Sequence, residues 1–375
     1  MKTSKLLTLV TTVSIFLMGI VACADKIYRM DTQINGNGSG ERTIYAHGDS
    51  AFLLGDTSHN PFLFAYSSDW RFKEIDTVES VFDTSEIYNV NIQKSFRSIA
   101  ELSDGLVFSE EIRPFLAPKE RLEKHFRWFY TCYSFEVAYP HISTPVSIDK
   151  YMNKDEQKCW FQGDFSIYRG MSGFECKDDL DNLEAKFGIW YAHNTYEVSF
   201  NTVRYFTEQA AGNPYFSGLE NVRDTLFTLN LKDLNKNDIL KDISPELVCT
   251  MLDTCYHTTV FSNLFSANKD AMNRHFDEQM RIIKEIPNKI LLEYHLILPG
   301  KVSFTNAAWN RSDTLIWKVN GIRLYASEDY RLSAESRETN VWAFVVTFLA
   351  GLVLLIFCVR QIMGYRNECR SICEL

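Results

Sequence analysis

The sequence predicts an α+β protein: terminal β-segments pairing into one sheet or sandwich, a large, mainly helical insertion between them, and one C-terminal transmembrane helix. Three observations predict it. Apolar residues recur with a period near two at both ends of the 375-residue chain and near 3.6 in the middle. An uncharged run, Val341–Val359, ends abruptly at Arg360. Its nineteen residues span about 28 Å as a helix, close to the hydrocarbon thickness of a bilayer.

Composition sets the outer limits. Hydrophobic residues make up 46% of the chain and aromatics 14%, enough to bury a large core. The net charge is −9 and no basic stripe is present, which argues against nucleic acid as a partner.

The first segment reads as an address. Lys2 and Lys5 form a positive start and Leu6–Ala22 an apolar and hydroxyl run, so 1–22 is expected to be a signal peptide. Ile20-Val21-Ala22-Cys23 has the form of a lipobox, which makes Cys23 the lipidation candidate. Ala22-Cys23-Ala24 also fits ordinary cleavage before Asp25, and an uncleaved first span is the third reading. All three place about residues 25–340 outside the cytoplasm, in a periplasmic position, with 360–375 as a short cytoplasmic tail. Trp342 and Tyr365 stand where interfacial aromatics are expected.

The β-rich N-terminal part is expected over 23–114. Asn35-Gly36-Asn37-Gly38-Ser39-Gly40 lies between two strand-like stretches and reads as a hairpin turn, not as a phosphate-binding loop. The mainly helical insertion is expected over 115–286. Pro118–Tyr130 begins with proline and charges and turns aromatic, as an entering helix does. Asp178-Asp179-Leu180-Asp181 opens a second helix, Ser244-Pro245-Glu246 a third with serine as N-cap, and Ala271–Ile286 is a fourth. The β-rich C-terminal part is expected over 287–340. Ile290–Leu298 and Lys301–Asn306 are strands, Leu315, Trp317 and Val319 alternate up to a hairpin at Asn320-Gly321, and Arg323–Ala326 is the return strand. Tyr330–Ala334 alternates again. The span follows with almost no linker, so the last strand should hold the domain close to the bilayer.

Two stretches carry a family resemblance. Leu298-Pro299-Gly300-Lys301-Val302, Thr305-Asn306 and Leu315-Ile316-Trp317-Lys318-Val319 precede a single C-terminal span, and a glycine-rich hairpin follows the lipobox. This layout resembles bacterial membrane-anchored lipoproteins of the LppM type. The resemblance covers the two ends and leaves out the helical middle. It implies an extracytoplasmic β-rich domain and carries over no catalytic residue.

Candidate chemistry is thin. The eight histidines are scattered and form no HExxH pair, so no metal or other cofactor is expected. Asp233-Leu234-Asn235-Lys236-Asn237 starts like a calcium loop, but Asp238 stands where the glycine belongs and Ser244 where the bidentate glutamate belongs. Gly170-Met171-Ser172-Gly173 lacks the second glycine of a nucleophile elbow. Cys132, Cys159, Cys176, Cys249 and Cys255 fall on the exported side, where disulfides form. Cys159–Cys176 and Cys249–Cys255 are the nearest-neighbour pairs, and spacing alone leaves the connectivity open. The expected function is that of an envelope lipoprotein without evident catalytic residues, held by a lipid anchor and one helix, that binds or scaffolds a protein partner in the envelope. The alternative is an envelope hydrolase acting on glycan or peptide, with Phe126–Tyr130, Trp160, Phe161, Trp190 and Tyr191 lining a groove in the helical insertion.

Overall fold

The structure, a computed structural model, describes residues 26–373 apart from 63, 83–85, 103, 109–112, 114–116, 211–212, 234–242 and 286–289. The signal segment, Cys23 and most of the calcium-like stretch therefore lie outside the described residues.

The two ends of the chain do form one sheet. β1 (Lys26–Ile34) turns at Asn35–Ser39 into β2 (Gly40–Ala46), and the turn is the expected hairpin. β3 (Phe64–Tyr66), β4 (Arg71–Glu79), β5 (Ile87–Phe96), β6 (Leu106–Phe108), β7 (Lys119–Arg127) and β8 (Tyr130–Tyr139) follow. After the helical middle come β9 (Ile290–Ile297), β10 (Lys301–Thr305), β11 (Trp309–Arg311), β12 (Thr314–Asn320) and β13 (Tyr330–Thr339). A seven-stranded sheet has the order β11-β12-β9-β1-β2-β5-β4, and a four-stranded sheet the order β10-β13-β8-β7. β1 and β9, at opposite ends of the sequence, lie parallel from Lys26 opposite Ile290 to Gln33 opposite Ile297. Parallel neighbours need a long crossover, and the helical middle supplies it.

The sheets face each other as a sandwich. Tyr28, Met30, Ile44, Val90, Ile92, Leu292, Tyr294, Leu296, Leu315 and Trp317 from the large sheet bury their side chains against Phe135, Val137, Tyr139, Leu332 and Ala334 from the small one. Period-two alternation places these residues on one face of each strand. Gly300 turns β9 into β10 at φ +77°, and a Cβ there would lie 2.4 Å from the Arg337 carbonyl oxygen, so the turn requires glycine.

Two local expectations are corrected. Pro118–Tyr130 is not a helix: it holds β7 and the tip of its hairpin with β8. β7 is an edge strand whose Glu120 faces inward to an arginine, so its alternation is not apolar-polar and periodicity missed it. Arg323–Ala326 is not a return strand either. Asn320 caps a 3-10 turn, Gly321–Tyr325, by accepting from the Arg323 amide at 3.3 Å. β12 and its successor β13 belong to different sheets, so the chain between them crosses over and does not form a hairpin.

Between β8 and β9 the described chain holds only helices. α1 (Gly173–Gln209) is the longest element, about 55 Å at 1.5 Å per residue. Ser172 and Glu175 close a capping box at its start, so the serine of the failed elbow motif is an N-cap and the acidic run follows one turn later. α2 (Arg223–Asp233), α3 (Pro245–Tyr256) and α4 (Val260–Met280) pack along it. Ser244 caps α3 as expected, and Asp253 near the end of α3 accepts from the amides of Phe261 and Ser262 at 2.9 and 2.8 Å to start α4. The helical part joins the sandwich at the β12–β13 crossover, where Tyr325 and Ala326 pack with Val146, Phe161 and Trp190. Arg323 there donates to the Phe161 carbonyl at 2.7 Å.

α5 (Val341–Cys373) leaves β13 after a single residue, Asn340. Its segment Val341–Ile362 has mean hydropathy 2.7 and is 6% buried; among the described residues it is the one helix long and apolar enough to cross a membrane.

Candidate functional site

The outer face of the seven-stranded sheet carries the most concentrated polar chemistry. Because Tyr28, Met30 and Thr32 point inward on β1, Arg29, Asp31 and Gln33 point outward. The same alternation turns Glu293 and His295 of β9, Glu41, Thr43 and Tyr45 of β2 and Gln93 of β5 to this face. Parallel pairing sets Arg29 beside Glu293 and Asp31 beside His295. The result is a cleft of about 320 Å³ lined by Arg29, Asp31, Thr43, Tyr45, Gln93 and His295, with Thr314 at its edge.

Its base is a chain of charges. Arg29 holds Asp31 through two hydrogen bonds of 2.8 Å. His295 Nδ1 lies 3.4 Å from Asp31 Oδ1, and Nε2 lies 3.5 Å from Glu293 Oε2. Glu293 is fully buried. It accepts from the Ser80 hydroxyl and from the Val81 and Phe82 amides at 3.1 Å, so the chain leaving β4 closes over it. Burial works against the ionised carboxyl, but the facing His295 ring and the hydrogen bonds from Ser80 and the two amides outweigh it and hold Glu293 below its ordinary value.

Ser80 donates its hydroxyl to the Glu293 carboxylate. What the open side offers is acceptors: Asp31, Glu41 with its amide partner Gln93 at 2.6 Å, and the hydroxyls of Thr43 and Thr314. The guanidinium of Arg29 is engaged by Asp31 and by the Tyr45 ring at 5.3 Å. Such a cleft can take a ligand bearing hydroxyl or ammonium donors.

A second polar cluster lies closed inside the helical part. His193 and Glu197, one turn apart on α1, have side chains 4% and 6% exposed. Tyr151 donates to His193 Nδ1 at 2.6 Å, Nε2 lies 3.4 Å from Glu197, and Phe227 stacks on the ring at 3.9 Å. A neutral ring with its proton on Nε2 satisfies both polar neighbours. Glu197 pairs with Arg223, so its charge is already engaged. Burial, then the charges of Lys150 and Arg223, push the His193 pKa down to about 4, with Asp224 opposing. The unfolded chain binds this proton near pH 6.5 and the folded chain only near 4. Stability from this group is therefore complete above about pH 6.5 and is lost as pH falls through that window, by an amount on the order of 3 kcal/mol. Denaturant titrations of the full chain in detergent between pH 7 and 4 should show that slope, and His193→Gln should flatten it. An equal slope in both proteins would mean that another group carries the acid sensitivity.

The cysteines singled out in the sequence separate. Cys249 and Cys255 are both free and share α3, with about 9 Å of axial rise between them, beyond the Cα reach of a disulfide. That pairing is corrected: Cys249 faces the core, where burial pushes its thiol up to about 12, while Cys255 is exposed. Cys159 and Cys176 are free thiols near enough to act on each other electrostatically, and burial raises Cys159. Cys132 is half-buried on β8. Of the aromatics expected to line a groove, Phe161 and Trp190 are buried in the packed cluster at the crossover, with Trp160 and Tyr191 against it. Among the described residues, no group of three or more His, Cys, Asp or Glu is placed to hold a metal ion.

The outer-face cluster was missed in the sequence. The signal was present in Ile290–Ile297, where a glutamate and a histidine interrupt an otherwise apolar strand. In a strand covered on both faces, such residues demand partners.

No family model and no curated protein matches the chain. The folded domain of the Mycobacterium tuberculosis protein LppM, solved by NMR, is similar over 84% of this chain and 92% of that one, at 8% identity and a TM-score of 0.24. A likeness that distant carries no argument about function, and the resemblance read from the two ends of the sequence goes no further than it.

Proposed function

We propose that the chain is a single-pass envelope lipoprotein whose extracytoplasmic α+β domain is a binding module held against the membrane, with the outer-face cleft as its ligand site. The observation that carries this reading is α5. An apolar helix of hydropathy 2.7 that is 6% buried has no place in water, and a single residue joins it to β13. Lipidation at Cys23 would add a second hold beside the helix, which alone suffices for stable anchoring. The full-length Cys23→Ala protein should remain in the membrane pellet after alkaline carbonate washing, because the helix suffices. Its release would sink the span. Wild type should take up palmitate label and Cys23→Ala should not; label on the variant would sink the lipobox.

The cleft assignment rests on its acceptor-rich lining. In calorimetric titrations of the full chain, simple hexoses and ethanolamine present the hydroxyl and ammonium donors that Asp31 and Glu41 can accept. Heat with either class should vanish in Asp31→Asn, which also frees Arg29. Absence of heat with both classes would remove the cleft as a site for such ligands while leaving the anchor untouched. The hydrolase alternative draws no support from the helical part, whose expected groove aromatics are packed inward.

A further inference from the structure

The tip of the β7–β8 hairpin, Arg127–Tyr130, does not stand free in solvent. It lies along the first two turns of α5. The Trp128 indole N–H donates to Thr347 Oγ1 at 2.8 Å. Trp342 sits between Phe126, stacked at 6.2 Å, and Trp128, edge-on at 5.3 Å. Phe129 meets Phe344 at 4.6 Å. Thr347 lies about 9 Å beyond Val341 along the helix axis, so the hairpin tip reaches that deep along the anchor. The contact buries these rings only in part: Phe126 stays 57% exposed, Trp128 47% and Trp342 51%.

A second observation concerns the backbone. Carbonyl groups entering lipid must find a donor within the protein, because no water is available there. At this tip Asn340 supplies donors to three of them. Its side-chain amide donates to the Arg127 and Trp128 carbonyls at 3.1 and 3.2 Å, and its backbone N–H donates to the Phe129 carbonyl at 2.9 Å. The asparagine oxygen in turn accepts from the Thr131 hydroxyl at 3.0 Å.

We propose that the β7–β8 tip is a membrane-inserted wedge, with the headgroup–acyl boundary of the anchoring bilayer as its partner. The inference rests on the reading of α5 as a membrane span. A bilayer that takes up α5 from Val341 takes up Trp128 with it, since the two are joined at Thr347. Tryptophan and tyrosine favour this depth, where an apolar ring and a polar edge are both satisfied. The wedge and the span together hold the domain at two points on one membrane surface, which fixes its tilt where a single helix would leave it free to swivel.

The test uses the full-length protein in phosphatidylcholine vesicles with acyl chains brominated near the headgroup. Emission from Trp342 is the difference between wild type and Trp342→Phe. Emission from Trp128 is the difference between Trp342→Phe and Trp342→Phe/Trp128→Phe. Both substitutions keep an aromatic ring at the contact. The wedge predicts that brominated lipid quenches both contributions to a similar extent. Quenching of Trp342 with Trp128 unaffected would overturn the wedge and leave the anchor standing. Quenching of neither would overturn both.

Discussion

Replacing Arg42 with methionine should destabilise the protein by about 3–5 kcal/mol, the usual cost of stranding one partner of a buried ion pair. Arg42 extends from β2 into the space between the sheets, and its side chain and that of Glu120 are 5% and 7% exposed. Its guanidinium reaches Glu120 of β7 at 2.9 Å, the Tyr294 hydroxyl of β9 at 2.6 Å and Thr32 of β1 at 2.9 Å. Tyr294 also donates to Glu120 at 3.2 Å. This network is the polar tie between the two sheets. Without the arginine, the Glu120 carboxyl is left between the sheets with its ion-pair partner gone and the Tyr294 hydroxyl donating to it. The double variant Arg42→Met/Glu120→Leu should recover most of the loss, because the desolvation penalty disappears along with the attraction. Recovery will fall short of complete, since a cavity of about 110 Å³ already lies beside the pair and two apolar side chains do not fill it. Urea midpoints of the full chain in detergent read all three proteins. A single variant within about 1 kcal/mol of wild type, the range of an exposed pair, would show that the pair is solvated in solution.

That same pair explains where sequence and structure part company. The terminal sheet was legible because Ile290–Leu298 is a short, nearly continuous apolar run closed by Pro299-Gly300, and Leu315, Trp317 and Val319 alternate up to Asn320-Gly321. Ser244-Pro245-Glu246 was legible because capping is local chemistry, completed within one turn. β7 was not legible. Its inward positions include Glu120, which becomes tolerable inside only through an arginine 78 positions earlier in the chain. A charge that is paired across the fold looks in sequence like a solvent-facing charge, so the segment reads as an entering helix that begins with charges and turns aromatic. The Asn320-Gly321 turn failed for a related reason: the dipeptide announces a change of direction, but whether the chain pairs with itself or crosses to another sheet depends on the packing of Leu324 and Tyr325. The outer-face cluster joins residues of β1, β2, β5 and β9 and the chain that follows β4, and no spacing within any one of them reveals it. The long apolar helix was plain in the sequence. The hairpin tip beside it shows in the sequence only as an aromatic run.

Glu293→Ala should cost a similar 3–5 kcal/mol, and its effect should be concentrated on one segment of the chain. The carboxylate is the common acceptor for the Ser80 hydroxyl and the Val81 and Phe82 amides, so alanine leaves three donors without it under a covered sheet face. The segment is otherwise held near the sheet by Phe82, which meets Trp309 edge-on at 6.0 Å and takes the Lys318 ammonium over its ring at 5.6 Å. Those surface contacts do not replace a buried charged acceptor. Hydrogen exchange should therefore speed up at Val81 and Phe82 while amides of the β1–β9 ladder slow or quicken only with global stability. Glu293→Gln, which keeps one acceptor oxygen and the side-chain shape, should lose less. The acid dependence follows from the direction of the shift. A carboxyl held below its ordinary pKa in the fold contributes its stability above the unfolded value of about 4.5 and loses it as pH falls through the folded one. The gap between wild type and Glu293→Ala should accordingly be full at neutral pH and close in acid. Because His295 Nε2 faces Glu293 while the same ring lines the cleft, the alanine variant should also change binding there, whereas Arg42→Met, buried between the sheets, should change stability alone. A Glu293→Ala protein with unaltered exchange at Val81 and Phe82 would mean that the carboxylate does not hold this segment, and the cleft would then lack the fixed floor on which its ligand site depends.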